Sequence, residues 1–286
     1  MITAIFLFLW APEAKTLWSI WGSDPALSHG PLIVLISLGL LWLRKQEFSE
    51  WNAAAVGGLV ALALSSLIYV ASIWADIDFL KPMSLILMIG SCIWFLGGLR
   101  NLKIAAPALA FNIFMIPWPT TLIDRIAFPL QLASSSYAAL FAGIVGIPVI
   151  RDGVHLAVQT SPDVAPIYSI VVAQACSGLT SLTVLLALAY LIAYYTPVRF
   201  YWRVLLVAVV VPLTLFNNAL RLTIILVVGA HHRPALAHWI HDHESPVLLF
   251  LCSLGLIFIR HLITSHTTDV MAESEKQVEQ APIPDH

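Results

Sequence analysis

The chain is a succession of long apolar runs broken by short polar stretches. A helix needs about 20 mostly apolar residues to cross the hydrocarbon layer of a bilayer. Runs near that length lie at roughly 2–21, 30–43, 53–75, 79–98, 103–121, 175–195, 203–228 and 246–263. They predict an all-α polytopic membrane protein with about eight transmembrane helices. No long period recurs, so a repeat architecture is not expected. The opening run, MITAIFLFLW, lacks the basic start and small-residue cleavage site of a secretory leader and reads as a first helix.

The segment 122–174 departs from this pattern. Its first part, IAFPLQLASSSYAALFAGIVGI at 126–147, is apolar but interrupted by Gln131 and the serines Ser134 to Ser136. Its second part, PVIRDGVHLAVQTSPDVAPIYSIVV, has short β-branched runs between Pro, Gly and Asp, the pattern of strands and turns. The expectation is an interfacial or re-entrant stretch over 126–147, followed by a small extracytoplasmic strand-and-turn cap. Residues 1–264 then form one transmembrane domain. The polar, acidic residues 265–286 are expected to be a disordered cytoplasmic tail.

Composition supports a membrane protein. Hydrophobic residues make up 59% of the chain and charged residues 10%, with mean hydropathy +0.89. A soluble domain carries roughly 25% charged residues. Ten tryptophans, several of them flanking apolar runs, suit an interfacial aromatic belt. The net charge of −2 offers no basic stripe for phosphates, which excludes a nucleic-acid partner.

Charge placement sets the orientation. Arg44 and Lys45, Arg100 and Lys103, Arg199 and Arg203, and Arg260 fall at alternate ends of the apolar runs. The positive-inside rule makes those ends cytoplasmic. Both termini are then cytoplasmic, and the opposite side receives 24–29, 76–78, the 122–174 segment and the 230–245 loop. The scheme holds together only if 126–147 does not cross.

This topology brings three reactive residues to one depth at the extracytoplasmic boundary. Cys176 lies at the outer, N-terminal end of the 175–195 run, Arg221 lies toward the outer end of 203–228, and His241 follows in the next loop. A helix N-terminus or nearby cation favours a thiolate, the nucleophilic form of cysteine. Helical spacing places Thr180 and Thr183 on the Cys176 face. A buried structural cysteine is the plainer reading for Cys176, and snorkelling to the interface for Arg221. Asn217, one turn before Arg221, is placed to hold its guanidinium. Fixed N–H donors of an arginine suit a developing oxyanion. His241 suits a general base, with His238 and His243 as rivals and Asp242 as an orienting group. The histidines at 231, 232, 238, 241 and 243 also admit a zinc site or a merely solvated loop. Cys92 and Cys252 lie inside apolar runs as small core residues. No phosphate-binding glycine loop or HExxH pattern is present, and no cofactor or metal is expected.

At these residues the sequence resembles the exosortase/archaeosortase family of integral-membrane cysteine transpeptidases. The resemblance rests on Ala175–Gly178 (ACSG), Asn218 to Arg221 (N-x-x-R) and His241–Asp242, in that order, and extends to SHGPLIVLISLGLLW, MIPWP and GIPVIRDG. It covers about 20–260. It implies Cys176 as nucleophile, His241 as acid/base and Arg221 as the oxyanion-stabilising group. It also implies membrane-anchored partner proteins with a C-terminal sorting signal: a short motif, a transmembrane helix and a basic end. Cleavage would pass through a thioester at the extracytoplasmic face of the bacterial inner membrane. Gln174 and Thr180 stand where many members carry Glu and Arg, which bears on the motif recognised. With Asn217 and Asn218 they are the expected substrate-binding residues. The competing readings are a non-enzymatic multi-pass transporter and a His-rich metal-binding membrane protein.

Overall fold

The structure, a computed structural model, describes residues 2–51, 55–159, 161, 163, 165–172, 178–231, 236–237, 240 and 245–279. Helices dominate. They are α1 (Ile2–Ser23), α2 (Gly30–Leu43), α3 (Val56–Trp74), α4 (Leu80–Phe111), α5 (Thr120–Ile144), α6 (Leu179–Tyr195), α7 (Phe200–Ala208), α8 (Val210–Ala230) and α9 (Ser245–Glu279). Strands β1 (Val149–Asp152), β2 (His155–Val158) and β3 (Tyr168–Val171) lie between α5 and α6. Chain contacts divide the molecule into two compact units, 1–125 and 126–286, at Arg125 within α5.

The first unit is built on a reversal at Gly98. Its backbone there (φ 75°, ψ 176°) breaks the α4 helix. That conformation is open essentially to glycine alone. A Cβ on Gly90 would lie 3.3 Å from Leu109 Cδ1, whereas a continuous helix would separate these residues by roughly 28 Å. The chain therefore folds back after Gly98, and α4 is a helical hairpin. Asn101, fully buried, ties the loop before α3 to this bend. It accepts hydrogen bonds from Ser49 N and Oγ, both 2.9 Å, and donates to Ser49 O at 3.2 Å.

The other helices alternate around the hairpin. Ala55 N donates to Phe95 O, and near the opposite end of α3 Tyr69 packs with Leu85 and Met88, so α3 runs antiparallel to the first arm. Along α2, His29 donates Nε2–H to Phe114 O (3.1 Å), Ser37 Oγ donates to Ala108 O (2.7 Å), and Arg44 Nη1 donates to Ile104 O (3.2 Å). These ties run antiparallel to the returning arm. Arg44, Arg100 and Lys103 thus gather at one end of the unit, lining a single cleft. At the other end Lys81 is bonded to both Asp76 (3.1 Å) and Asp78 (2.8 Å). Those two aspartates serve an ion pair as well as loop solvation.

In the second unit, α6 buries Leu182, Leu185, Ala189 and Ala193, at helical spacing, against Leu206, Val210, Cys252, Leu256 and Ile263. Small residues at these positions let helices approach closely. Arg260 Nε donates to Thr196 Oγ1 (3.1 Å) at the far end of α6. The sheet is antiparallel in the order β1-β2-β3. Asp152 pairs with His155 across a two-residue turn, and Leu156, Val158 and Val172 pack onto Ala138 and Ala142 of α5 and Leu222 and Leu226 of α8.

Several expectations change. Among the described residues, four stretches are long and apolar enough to cross a membrane by length and composition: Val56–Trp74, Leu80–Met115, Phe200–Ala230 and Val247–Thr267. The second is folded on itself at Gly98, while α2 and α6 are apolar but shorter. Segment 126–147 is not a re-entrant turn: α5 continues through Pro129 as one helix. Ser135 Oγ donates to Gly153 O beneath the sheet (2.9 Å). The expected disordered tail is helical as far as Glu279, since Met, Ala, Glu, Lys and Gln are strong helix formers and no Gly or Pro stops the helix before that point. Cys252 is buried as expected, and Cys92 is half-buried.

Two measurements test this architecture. Gly98→Ala forces a Cβ into the reversal and should lower stability by roughly 1–3 kcal/mol. Gly39→Ala, with nothing within 4 Å of the new Cβ, should not; thermal unfolding compares them. Burial lowers the His29 pKa below its ordinary 6.5. Just below pH 6.5 the unfolded chain then binds more protons at this position than the folded one. Stability should therefore fall as pH drops from 6.5 toward the folded-state pKa, and the dip should shrink in His29→Gln.

Candidate active site

The site is assembled on α8. Thr214, Asn217, Asn218 and Arg221 fall at i, i+3, i+4 and i+7, which places them in one stripe of an otherwise apolar helix. Thr214, Asn217 and Asn218 are buried and Arg221 is half-buried. An arginine inside an apolar helix costs at least about 2.5–3.5 kcal/mol at a bilayer centre, so such residues face the protein interior or a wet cavity. The next turns of the same helix are apolar, and Leu222 and Leu226 pack under the sheet.

The start of α6 meets this stripe. Gly178 adopts φ +83°, and a Cβ there would lie 3.3 Å from both Asn218 Cβ and Thr214 Cγ2. Glycine meets both requirements, a left-handed backbone and a close approach. Its carbonyl accepts from Leu182 N at 2.8 Å, opening the α6 hydrogen-bond ladder. Thr180, in the first turn, is half-buried. Thr183 donates its hydroxyl to Leu179 O (3.0 Å) and so bonds its own helix.

The Tyr168 ring sits against the Cα of Gly229, leaving no room for a side chain there. Gly229 lies roughly 16 Å further along α8 than Asn218. The start of α6 therefore lies about three turns of α8 away from the Tyr168 contact, a recess relative to the cap. Burial pushes the Tyr168 phenol above its ordinary pKa.

Cys176, Gln174 and His241 lie outside the described residues, as do His232, His238, Asp242 and His243. Of the sequence-derived set, the structure places Arg221, Asn217, Asn218 and Thr180. The first three share one stripe, and Asn218 meets the α6 start. Thr214 is the member the sequence reading omitted. Its hydroxyl is buried with no hydrogen-bond partner among the described residues. Its position one turn before Asn218 was the available signal. Among the described residues no three His, Cys, Asp or Glu side chains group as metal ligands. His231, exposed, donates Nδ1–H to Val227 O at 2.7 Å.

The fold and site define a helical integral membrane protein. Large apolar side chains point outward all along the helices, including Trp74 (88% exposed), Phe200 (80%) and Val56 (75%). An apolar surface of this extent is one that lipid covers. The polar stripe lies inside the second unit. The profile of the transmembrane exosortases (Exosortase_EpsH) matches residues 21–259, and the chain belongs to that family. No curated protein and no solved structure matches it significantly.

Gly178→Ala tests the recess. A methyl group in a left-handed backbone costs roughly 1–2 kcal/mol, and here it also pushes on Thr214 and Asn218. The variant should unfold at a lower temperature than Gly143→Ala, whose new Cβ meets nothing within 4 Å.

Proposed function

We propose that the chain is a membrane-embedded cysteine peptidase or transpeptidase that cleaves C-terminal sorting signals of exported proteins. The observation that carries this is the packing of Gly178 against Asn218, one turn from Arg221, inside the region matched to the transmembrane exosortases. Cys176 precedes Gly178 by two residues in the sequence. In this reading Cys176 is the nucleophile, Arg221 stabilises the oxyanion and His241 moves the proton. The thiolate attacks the scissile carbonyl, and the tetrahedral intermediate collapses to a thioester as His241 protonates the leaving amine. Water or an acceptor amine then attacks the thioester, its proton passes to His241, and the thiol is restored. Gln174, Thr180, Asn217 and Asn218 line the substrate's path.

The proposed setting is the bacterial inner membrane, with both termini cytoplasmic and the site open to the other side. The substrate is itself held by a transmembrane helix, so encounter is confined to two dimensions and its effective concentration rises. The recess beneath the cap suits a scissile bond close to the start of that helix. The half-buried Arg221 would equally suit a transporter, but the close approach of Gly178 to Asn218 favours a reaction site.

Co-expression with a membrane protein that ends in a short motif, an apolar helix and a basic tip tests the reading. Cys176→Ala should abolish processing, and His241→Ala should nearly do so. Arg221→Gln should slow processing by about 10²–10³-fold, the usual effect of removing one oxyanion donor. Wild-type processing in Cys176→Ala would exclude the cysteine mechanism.

A further inference from the structure

We propose a second site, at the cytoplasmic end of the first unit, that holds the phosphate of an anionic glycerophospholipid. The reversal at Gly98 puts Leu99, Arg100 and Lys103 in the first turns of the returning arm. Arg44, at the end of α2, reaches across to Ile104 O. Between them lies a cleft of about 510 Å³ lined by Arg44, Glu47, Leu99, Arg100, Lys103 and Ile104. That volume suits a headgroup.

The charge balance favours an anion. Arg44 is committed to Glu47, donating Nε–H at 2.9 Å and Nη2–H to the other carboxylate oxygen. This bond also holds the Glu47 carboxyl below its ordinary pKa, so Glu47 stays ionised and is answered by Arg44. Arg100 and Lys103 are both exposed, and neither has an ion-pair partner among the described residues. The cleft therefore keeps an excess of two positive charges.

The surroundings point to lipid rather than to a soluble anion. Beside the cations stand Leu43 (73% exposed), Trp42 (68%) and Leu99 (48%), and Lys45 Nζ sits 3.8 Å above the Trp42 ring. A phosphate diester in the cleft would leave its acyl chains along these apolar side chains. Basic pockets between transmembrane helices on the cytoplasmic side suit such headgroups. The same excess charge repels the basic tip expected of a sorting signal, so the proposal concerns a lipid cofactor-like partner and not the substrate.

The test uses the purified full-length protein in neutral detergent, titrated with phosphatidylglycerol, phosphatidylcholine or inorganic phosphate and read by native mass spectrometry. Removing each cation should weaken phosphatidylglycerol binding roughly 5-fold, so Arg100→Gln/Lys103→Gln should weaken it roughly 30-fold. The single variants Arg100→Gln and Lys103→Gln keep the test open if the double variant folds poorly. Arg125→Gln/Arg151→Gln removes two exposed cations elsewhere and should leave affinity unchanged. Equal binding of phosphatidylcholine overturns the proposal, as does equal loss in the control variant. Inorganic phosphate binding as tightly as phosphatidylglycerol would assign the cleft to a small anion and overturn the lipid assignment.

Discussion

Inside an apolar layer no water is available to satisfy a backbone N–H or C=O, so the chain must satisfy each one itself. Long helices do this automatically. The consequences concentrate where a helix begins, ends or reverses. Two such places shape the units of this protein, and both use the same pairing. At Gly98 the backbone turns back with φ 75°, and buried Asn101 makes three hydrogen bonds to Ser49 beside it. At Gly178 the chain enters α6 with φ +83°, and buried Asn218 lies against it. In each case glycine supplies a conformation other residues resist, and a buried asparagine lies beside it.

That constraint explains which features could be read from the sequence. The apolar runs give the helices because length and hydropathy are local properties. The boundaries of α2 and α3 lie close to those expected, and the Pro, Gly and Asp punctuation of 148–172 marks the strands. The reversal at Gly98 was legible as the gap between two apolar runs, although the helix ladder closes across it. The recess of α6 was not legible. It depends on Gly178 meeting Asn218 instead of a residue nearer Gly229, a contact between segments far apart in sequence. Thr214 was missed because a lone threonine in an apolar helix usually bonds its own backbone, as Thr223 does to Ala219 O (2.7 Å). The helical tail was missed because polar composition alone points to disorder, while its helix formers Met, Ala, Glu, Lys and Gln carry α9 onward.

Electrostatics adds a second layer of order. In the first unit Arg44, Arg100 and Lys103 line one end, while the cation of the other end, Lys81, is offset by two aspartates. In the second unit Arg260 reaches the end of α6 at Thr196, where Arg199 and Arg203 follow in the sequence. A positive-inside count by sequence alone would score Lys81 against the orientation. Its pairing makes that end net negative, so the charge asymmetry within the unit is larger than the count of basic residues suggests.

Recession and cap together bear on how a protease could work without hydrolysing its neighbours. An ionised thiol favours a polar surrounding with cations or helix N-termini, whereas lipid disfavours the charged form. The stripe Thr214–Asn217–Asn218–Arg221 supplies polar groups at the depth where α6 begins, and the sheet above it packs Leu156, Val158 and Val172 over the outer part of α8. In the proposed orientation, a peptide bond in water would have to pass the cap to reach that level. On the same proposal, one carried by a membrane-anchored helix is already held near the layer where the stripe lies. Selectivity for tail-anchored substrates would then follow from the position of the site as well as from recognition of a motif.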